Sequence, residues 1–73
     1  MNKSTYKEIY DDFYSWNPEL GSKVIDYEPW GSTSIVIWLN NGMIYKVKRY
    51  EHDKFVLQTL SKEDVDRKFG LNK

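Results

Sequence analysis

The sequence predicts a single α+β domain, in which an N-terminal helix packs on a three- or four-stranded antiparallel meander and a short C-terminal helix closes the fold. Three observations carry this prediction. Aromatic residues recur at helical spacing near the N-terminus, β-branched and aromatic residues fill positions 34–39, and Asn40-Asn41-Gly42 follows them as a hairpin turn. The 73 residues leave no room for a second domain.

The first helix is predicted from about residue 5 to residue 16. Thr5 and Glu8 have the spacing of a capping box, and Pro18 ends the helix because the residue before a proline avoids helical angles. A polar loop is expected to follow, up to Gly21. The residues at helical spacing would form a stripe that covers the sheet: Tyr6, Ile9, Tyr10, Phe13 and Trp16.

Strands are predicted over residues 23–28, 34–39 and 43–50, with a turn at residues 29–32. Pro29 is placed at a strand end because it cannot donate to a ladder hydrogen bond. Residues 55–60 form an apolar run that is either a fourth strand or the beginning of a helix, since periodicity does not decide so short a segment.

The length of the hairpin loop decides which residues share a face of the sheet. A two-residue turn at Asn41-Gly42 would pair Leu39 with Ile44, whereas a three-residue loop with a G1 bulge at Gly42 pairs Leu39 with Met43. We predict the three-residue loop because it separates apolar from charged residues. The resulting apolar face contains Ile35, Ile37, Leu39, Met43, Tyr45 and Val47.

A second helix is predicted after Ser61, which has the side chain of an N-cap residue. Acidic residues follow in its first turn, and Arg67 and Lys68 lie near its C-terminus, as the helix dipole favours. Gly70 is the expected C-cap. Val65 and Phe69, four residues apart, give this helix one apolar face for docking.

Composition favours an intracellular, cytoplasmic protein. The chain has no Cys, which suits a reducing compartment, and neither a membrane span nor a signal peptide is expected from its sequence. Residues 1–30 carry three lysines and six acidic residues, whereas residues 31–73 carry eight basic and five acidic ones. The net charge of zero argues against a polycation that binds DNA non-specifically.

No cluster of residues specifies catalysis, a metal or a cofactor, so we expect a protein that is not an enzyme. A thiol nucleophile is excluded, and His52 is the only histidine. Glu51, His52 and Asp53 would point to different sides of a strand, and we interpret them as a solvated turn. Asp26 and Glu28 would share a strand face, which we interpret as exposed; attraction of a cation or a basic partner is the alternative.

The second face of the hairpin is the candidate binding surface, either for a protein partner or for nucleic acid. A Trp anchor within a charged rim suits a protein interface, whereas aromatic rings beside lysines suit single-stranded nucleic acid. A third interpretation is that Val65 and Phe69 of the last helix simply cover Trp38 and Ile44. The candidate binding residues are Trp38, Ile44, Lys46, Lys48, Arg49 and Tyr50, with Val36 on the same face.

We therefore predict a non-catalytic module that binds a protein partner, with nucleic-acid binding as the alternative. Lysine outnumbers arginine nine to two, and Asn, Ile and Tyr are plentiful. Lys, Asn, Ile and Tyr have AT-rich codons, which suits a low-GC bacterium or its phage as the source. An accessory protein of a phage or mobile element that modulates a host factor is therefore our working hypothesis. A homodimer formed through Trp38, Val36 and Ile44 is an alternative to a monomer.

Residues 22–70 resemble the KTSC domain, a small domain without an established function. The similarity lies in the segment 25–29 (Ile-Asp-Tyr-Glu-Pro), the apolar strand after it, Asn41-Gly42 and Tyr45, with Ser61 and Phe69 near the end. The Lys-Thr-Ser-Cys signature itself is absent, and the N-terminal helix has no counterpart. The resemblance implies a hairpin-plus-helix fold and no particular activity.

Overall fold

The first helix, the sheet and the last helix form three layers, as a computed structural model shows. The model describes residues 3–51 and 53–70; for residues 3–5 it describes the backbone but not the side chains. The helices are α1 (Lys3–Trp16), α2 (Pro18–Gly21) and α3 (Lys62–Phe69), and the strands are β1 (Val24–Gly31), β2 (Ser34–Leu39), β3 (Ile44–Glu51) and β4 (Lys54–Leu60). The strands form one antiparallel sheet in the order β1-β2-β3-β4, which confirms the predicted α+β meander with four strands.

The hairpin between β2 and β3 has the predicted three-residue loop. The Leu39 N–H donates to the Met43 carbonyl at 2.9 Å, and the Gly42 N–H donates to the Leu39 carbonyl at 3.0 Å. Gly42 has a φ of 91°, a conformation that side chains with a Cβ rarely adopt. Ile37 therefore lies opposite Tyr45, and Ile35 opposite Val47, on the face that α1 covers. We call this the inner face and the opposite side the outer face.

The core lies between α1 and the inner face. Ile9 and Phe13 of α1 are fully buried, as are the inner-face residues Ile35, Ile37 and Val47. Tyr10 stacks on Tyr27 of β1 with ring centroids 4.5 Å apart, and the burial that results raises the pKa of the Tyr10 hydroxyl. The predicted aromatic stripe thus meets the predicted apolar face. Trp16 and Met43 lie at its margin, where they are 42% and 38% exposed.

Two predictions for the N-terminal helical region are wrong. Helix α1 already includes Lys3, so Thr5 is not its N-cap, and the side chain of Thr5 lies outside the described residues. The expected loop at residues 18–21 is the short helix α2, because the Asn17 side chain accepts a hydrogen bond from the Leu20 N–H at 3.2 Å and Pro18 suits a first turn. A Cβ at Gly21 would lie 2.7 Å from Tyr14 Cδ2, so this close approach of α2 to α1 requires glycine.

Strand β1 also runs further than predicted, through Pro29 and Trp30 to Gly31, and the turn consists of residues 32–33. Proline fits there because β1 is an edge strand with one side free of ladder bonds. The register between β1 and β2 shifts between Val24 and Asp26, which makes Ile25 the extra residue of a bulge. Ile25 is accordingly 69% exposed.

Residues 55–60, for which the sequence leaves strand and helix open, form part of strand β4. Helix α3 then begins with the predicted N-cap, whose hydroxyl accepts a hydrogen bond from the Asp64 N–H at 3.1 Å, and the Asp64 carboxylate accepts one from the Ser61 N–H. Gly70, with a φ of 67°, ends the helix as predicted. Val65 is the buried anchor of α3, with 4% of its surface exposed.

Candidate functional site

The outer face of the hairpin gathers most of the predicted binding residues. Trp38 lies opposite Ile44, and Lys46 and Lys48 follow on the same side of β3. Tyr50 is 60% exposed, and its ring centroid lies 5.0 Å from the Lys48 ammonium group. The structure therefore places five of the six candidate residues on or beside one surface.

Arg49 is the exception, because it points to the inner face. Successive side chains of a strand alternate between faces, so Arg49 follows Tyr45 and Val47 rather than the lysines. Its guanidinium donates to the Asp12 carboxylate of α1 at 2.6 Å, and both side chains are mostly buried. Arg49 thus ties α1 to the sheet, and grouping it with the outer-face residues was wrong. Strand alternation alone would have identified this from the sequence.

Helix α3 lies across the outer face. Val36, whose side chain faces outward from β2, is fully buried, and Val65 on the apolar side of α3 is buried as well. Phe69 at the end of α3 meets Trp30 of β1 edge-to-face with ring centroids 5.9 Å apart. The helix leaves a cleft on each side of it, and the two clefts differ in charge.

One cleft lies between β1 and α3 and combines aromatic and acidic groups. Trp38, Val65 and Phe69 form its apolar wall, and Asp26 and Glu28 of β1 contribute carboxylates. Asp26 lies opposite Trp38, and Glu28 opposite Val36, so both carboxylates stand on the outer face. Among the described residues, no Lys or Arg lies within ion-pair distance of either one. We call this the acidic cleft.

The sequence predicts that Asp26 and Glu28 share a strand face, as they do, but it does not connect them with Trp38. That connection depends on the register of β1 against β2, which shifts at two places, between Val24 and Asp26 and between Pro29 and Gly31. It also depends on where α3 docks, which periodicity does not reveal. The sequence predicts no role for Trp30, because it predicts a turn at residues 29–32, whereas Trp30 lies in β1.

The other cleft, on the β4 side of α3, is basic. Lys46 of β3 and two basic residues of α3, Arg67 and Lys68, line it together with Trp30. The Lys68 ammonium lies 5.4 Å from the centroid of the Trp30 ring, a cation–π arrangement. The remaining lining residues are Gln58, Leu60 and Asp64. We call this the basic cleft.

Asp64 is committed to the structure of α3 rather than available to a ligand. Hydrogen bonds from the Ser61 backbone and side chain hold the pKa of Asp64 below its usual value, with a smaller contribution from the Arg67 charge. Arg67 Nη1 lies 3.8 Å from the Asp64 carboxylate. The positive charge of the basic cleft therefore comes mainly from Lys46 and Lys68.

Of Glu51, His52 and Asp53, the structure describes Glu51 and Asp53. His52 lies outside the described residues, so the interpretation of residues 51–53 as a solvated turn stays a prediction. Within residues 3–51 and 53–70, no three or more carboxylate or imidazole side chains come together as a candidate metal site. None of the helices in this part of the chain is long and apolar enough to cross a membrane.

Comparisons of the chain with protein-family models, curated proteins and solved structures find no match.

Proposed function

We propose that this protein is a non-catalytic module that binds a protein partner through the acidic cleft. The observation that carries the proposal is the pairing of a half-buried Trp38 and Phe69 with two carboxylates that have no cationic partner among the described residues. Such a site suits the side chain of a lysine or an arginine. The aliphatic stem would pack against the rings, and the charged end would lie between Asp26 and Glu28.

The partner is accordingly a protein segment with an exposed basic side chain. A cation beside an aromatic ring gains about 0.5–2 kcal/mol, and a charge-assisted hydrogen bond adds to it. The larger role we propose is that of a cytoplasmic accessory protein of a phage or mobile element that modulates a host factor. The codon-linked composition supports this role, as does the absence of Cys from the sequence.

The test uses a short lysine peptide, Ac-GGKGG-amide, with Ac-GGQGG-amide as its neutral control. We expect the lysine peptide to shift the Trp38 indole N–H and the Phe69 ring resonances in NMR spectra, and the neutral peptide to leave them in place. The combined substitutions Asp26→Asn and Glu28→Gln should weaken binding about tenfold, since each removes a charge-assisted contact. The amide oxygen that Asp26→Asn introduces can still accept the hydrogen bond that the Tyr27 N–H donates at 2.8 Å, so the fold should persist.

A matched control removes two acidic charges elsewhere, with Glu19→Gln and Glu63→Gln, both on exposed side chains. This variant should bind the lysine peptide like the wild type. Affinity capture from the native host should likewise recover a partner with the control variant and lose it with the acidic-cleft variant. Equal peptide binding by all three proteins would contradict the proposal, because the cleft carboxylates would then contribute nothing.

A second candidate function, binding of single-stranded nucleic acid, is favoured by the basic cleft. Trp30 offers a ring for stacking, and Lys46 and Lys68 could meet phosphates beside it. Lys48 and Tyr50 extend the same basic and aromatic surface along β3.

Salt dependence tests this candidate. If it is right, a labelled oligothymidine will bind at low salt, and the affinity will fall steeply up to physiological salt, as measured by fluorescence anisotropy. Lys46→Ala should then lower the slope of log K against log salt by about 0.7, the value for one phosphate contact on a single strand. Lys7→Ala, on exposed α1, is the control and should leave the slope unchanged. No binding at low salt would eliminate this function.

A further inference from the structure

The two edges of the sheet differ in how their backbone groups are satisfied. Strands β1 and β4 are the edges. The Arg49 N–H donates to the Thr33 carbonyl at 3.0 Å and the Leu39 N–H to Met43, so odd-numbered residues form the ladder between β2 and β3. In an antiparallel sheet the N–H and C=O of a residue point to the same neighbour, and successive residues alternate. Even-numbered residues of β2 and β3 therefore bond to β1 and β4.

The β1 edge is closed to further strands. Asp26 and Glu28 bond to β2, which leaves Tyr27 and Pro29 facing outward. The Tyr27 N–H is already bonded to the Asp26 carboxylate at 2.8 Å, and Pro29 has no N–H to donate. The bulge at Ile25 interrupts the edge as well. These are the devices by which proteins protect an edge strand from pairing.

The β4 edge has none of these devices. Residues 56, 58 and 60 lie opposite the even-numbered residues of β3, so the backbone groups of Phe55, Leu57 and Thr59 point outward. Within the described part of the chain, nothing bonds to those groups. The register with β3 is continuous from residue 55 to residue 60, and this stretch has neither a proline nor a charge.

We propose that β4 pairs with β4 of a second copy of this chain, antiparallel and with the two-fold axis at Leu57. This register uses every outward group, because Leu57 pairs with Leu57 of the partner subunit and Phe55 pairs with Thr59 of the partner subunit. No like charges face each other, since Lys54 comes opposite a leucine, Leu60. The result is a dimer with one continuous eight-stranded sheet, four strands from each copy.

Exposed apolar groups beside the edge support a second copy as the occupant. On the inner side, Trp16 is 42% exposed and packs on Phe55 with ring centroids 5.2 Å apart. On the outer side, Val56 is 51% exposed and would come opposite Gln58 of the partner subunit. Pairing would cover both groups in each copy, so the side chains and the backbone favour the same two-fold arrangement.

The test measures amide hydrogen exchange of the wild-type protein at several protein concentrations. Sedimentation equilibrium at the same concentrations gives the mass of the species in solution. We expect a dimer whose formation slows exchange at the amides of Phe55, Leu57 and Thr59 and leaves the Tyr27 amide unchanged. A monomer at all concentrations up to about 1 mM, near the weak limit of specific association, would overturn the proposal. A dimer without concentration-dependent protection of the three β4 amides would overturn it too, because another surface would then form the interface.

A substitution on the edge gives a second readout. Thr59→Pro removes one outward N–H per copy from an exposed position and fills its place with the proline ring, whereas Thr59→Ala keeps the N–H. Proline should raise the dimer dissociation constant about tenfold or more, and alanine should leave it nearly unchanged. Equal dissociation constants for the two variants would contradict the proposed pairing. The acidic-cleft variant should dimerise like the wild type, so this result is independent of the proposed function.

Discussion

Replacing Ile37 with aspartate should abolish cooperative unfolding of the protein. Ile37 is fully buried between β2 and α1, in the centre of the inner face. The substitution removes an apolar side chain, which costs about 2–5 kcal/mol, and it buries a carboxylate without a partner, which costs several more. A domain of 73 residues has a total stability of roughly 4–11 kcal/mol, at about 0.05–0.15 kcal/mol per residue. The expected loss of stability is therefore comparable to the total free energy of unfolding of the domain.

Thermal and urea unfolding followed by far-UV circular dichroism would show this as the disappearance of a sigmoidal transition. Ile25→Asp is the matched control, because it makes the same substitution in a strand but at the exposed bulge of β1. We expect that variant to unfold cooperatively, with a midpoint near that of the wild type. If Ile37→Asp melts like Ile25→Asp, the assignment of the inner face is wrong.

The inner face could be predicted from the sequence because it depends on local rules. Asn40-Asn41-Gly42 allows only a few hairpin loops, and alternation along β2 then distributes every side chain between two faces. The caps of α3 at Ser61 and Gly70 are local as well, since each concerns hydrogen bonds within one turn. Both kinds of feature appear in the structure as predicted.

The candidate site depends on contacts between distant segments, and here prediction was partial. Trp38 and Lys46 were placed on the right face, but they lie in two different clefts because α3 crosses between them. The spacing of Val65 and Phe69 predicts which side of α3 docks, and Val65 is buried, but the direction of α3 depends on the contact of Phe69 with Trp30, which has no sequence signature. The position of the Asp26 carboxylate in the acidic cleft depends in turn on the two register shifts between β1 and β2.

Phe13→Ala should be the most destabilising truncation within α1. Phe13 is fully buried, and its ring lies 5.9 Å from that of Phe55 on β4 and 6.0 Å from that of Trp16. Truncation of a buried phenylalanine costs about 3–5 kcal/mol, since the cavity adds to the lost burial. With a urea m-value of about 1–3 kcal/mol per molar, the midpoint should fall by more than about 1 M, at an unchanged slope if unfolding remains two-state.

Tyr14→Ala is the control for this truncation, because Tyr14 is the next residue of the same helix and is 41% exposed. It should cost about 1 kcal/mol, since Tyr14 is partly exposed and packs edge-on against Tyr10 and against α2 rather than in the core. Equal losses of stability in the two variants would mean that the exposed side of α1 contributes as much to stability as its buried side. Such a result would contradict the packing of α1 on the inner face, because Phe13 spans from the helix to β4, and Tyr14 does not.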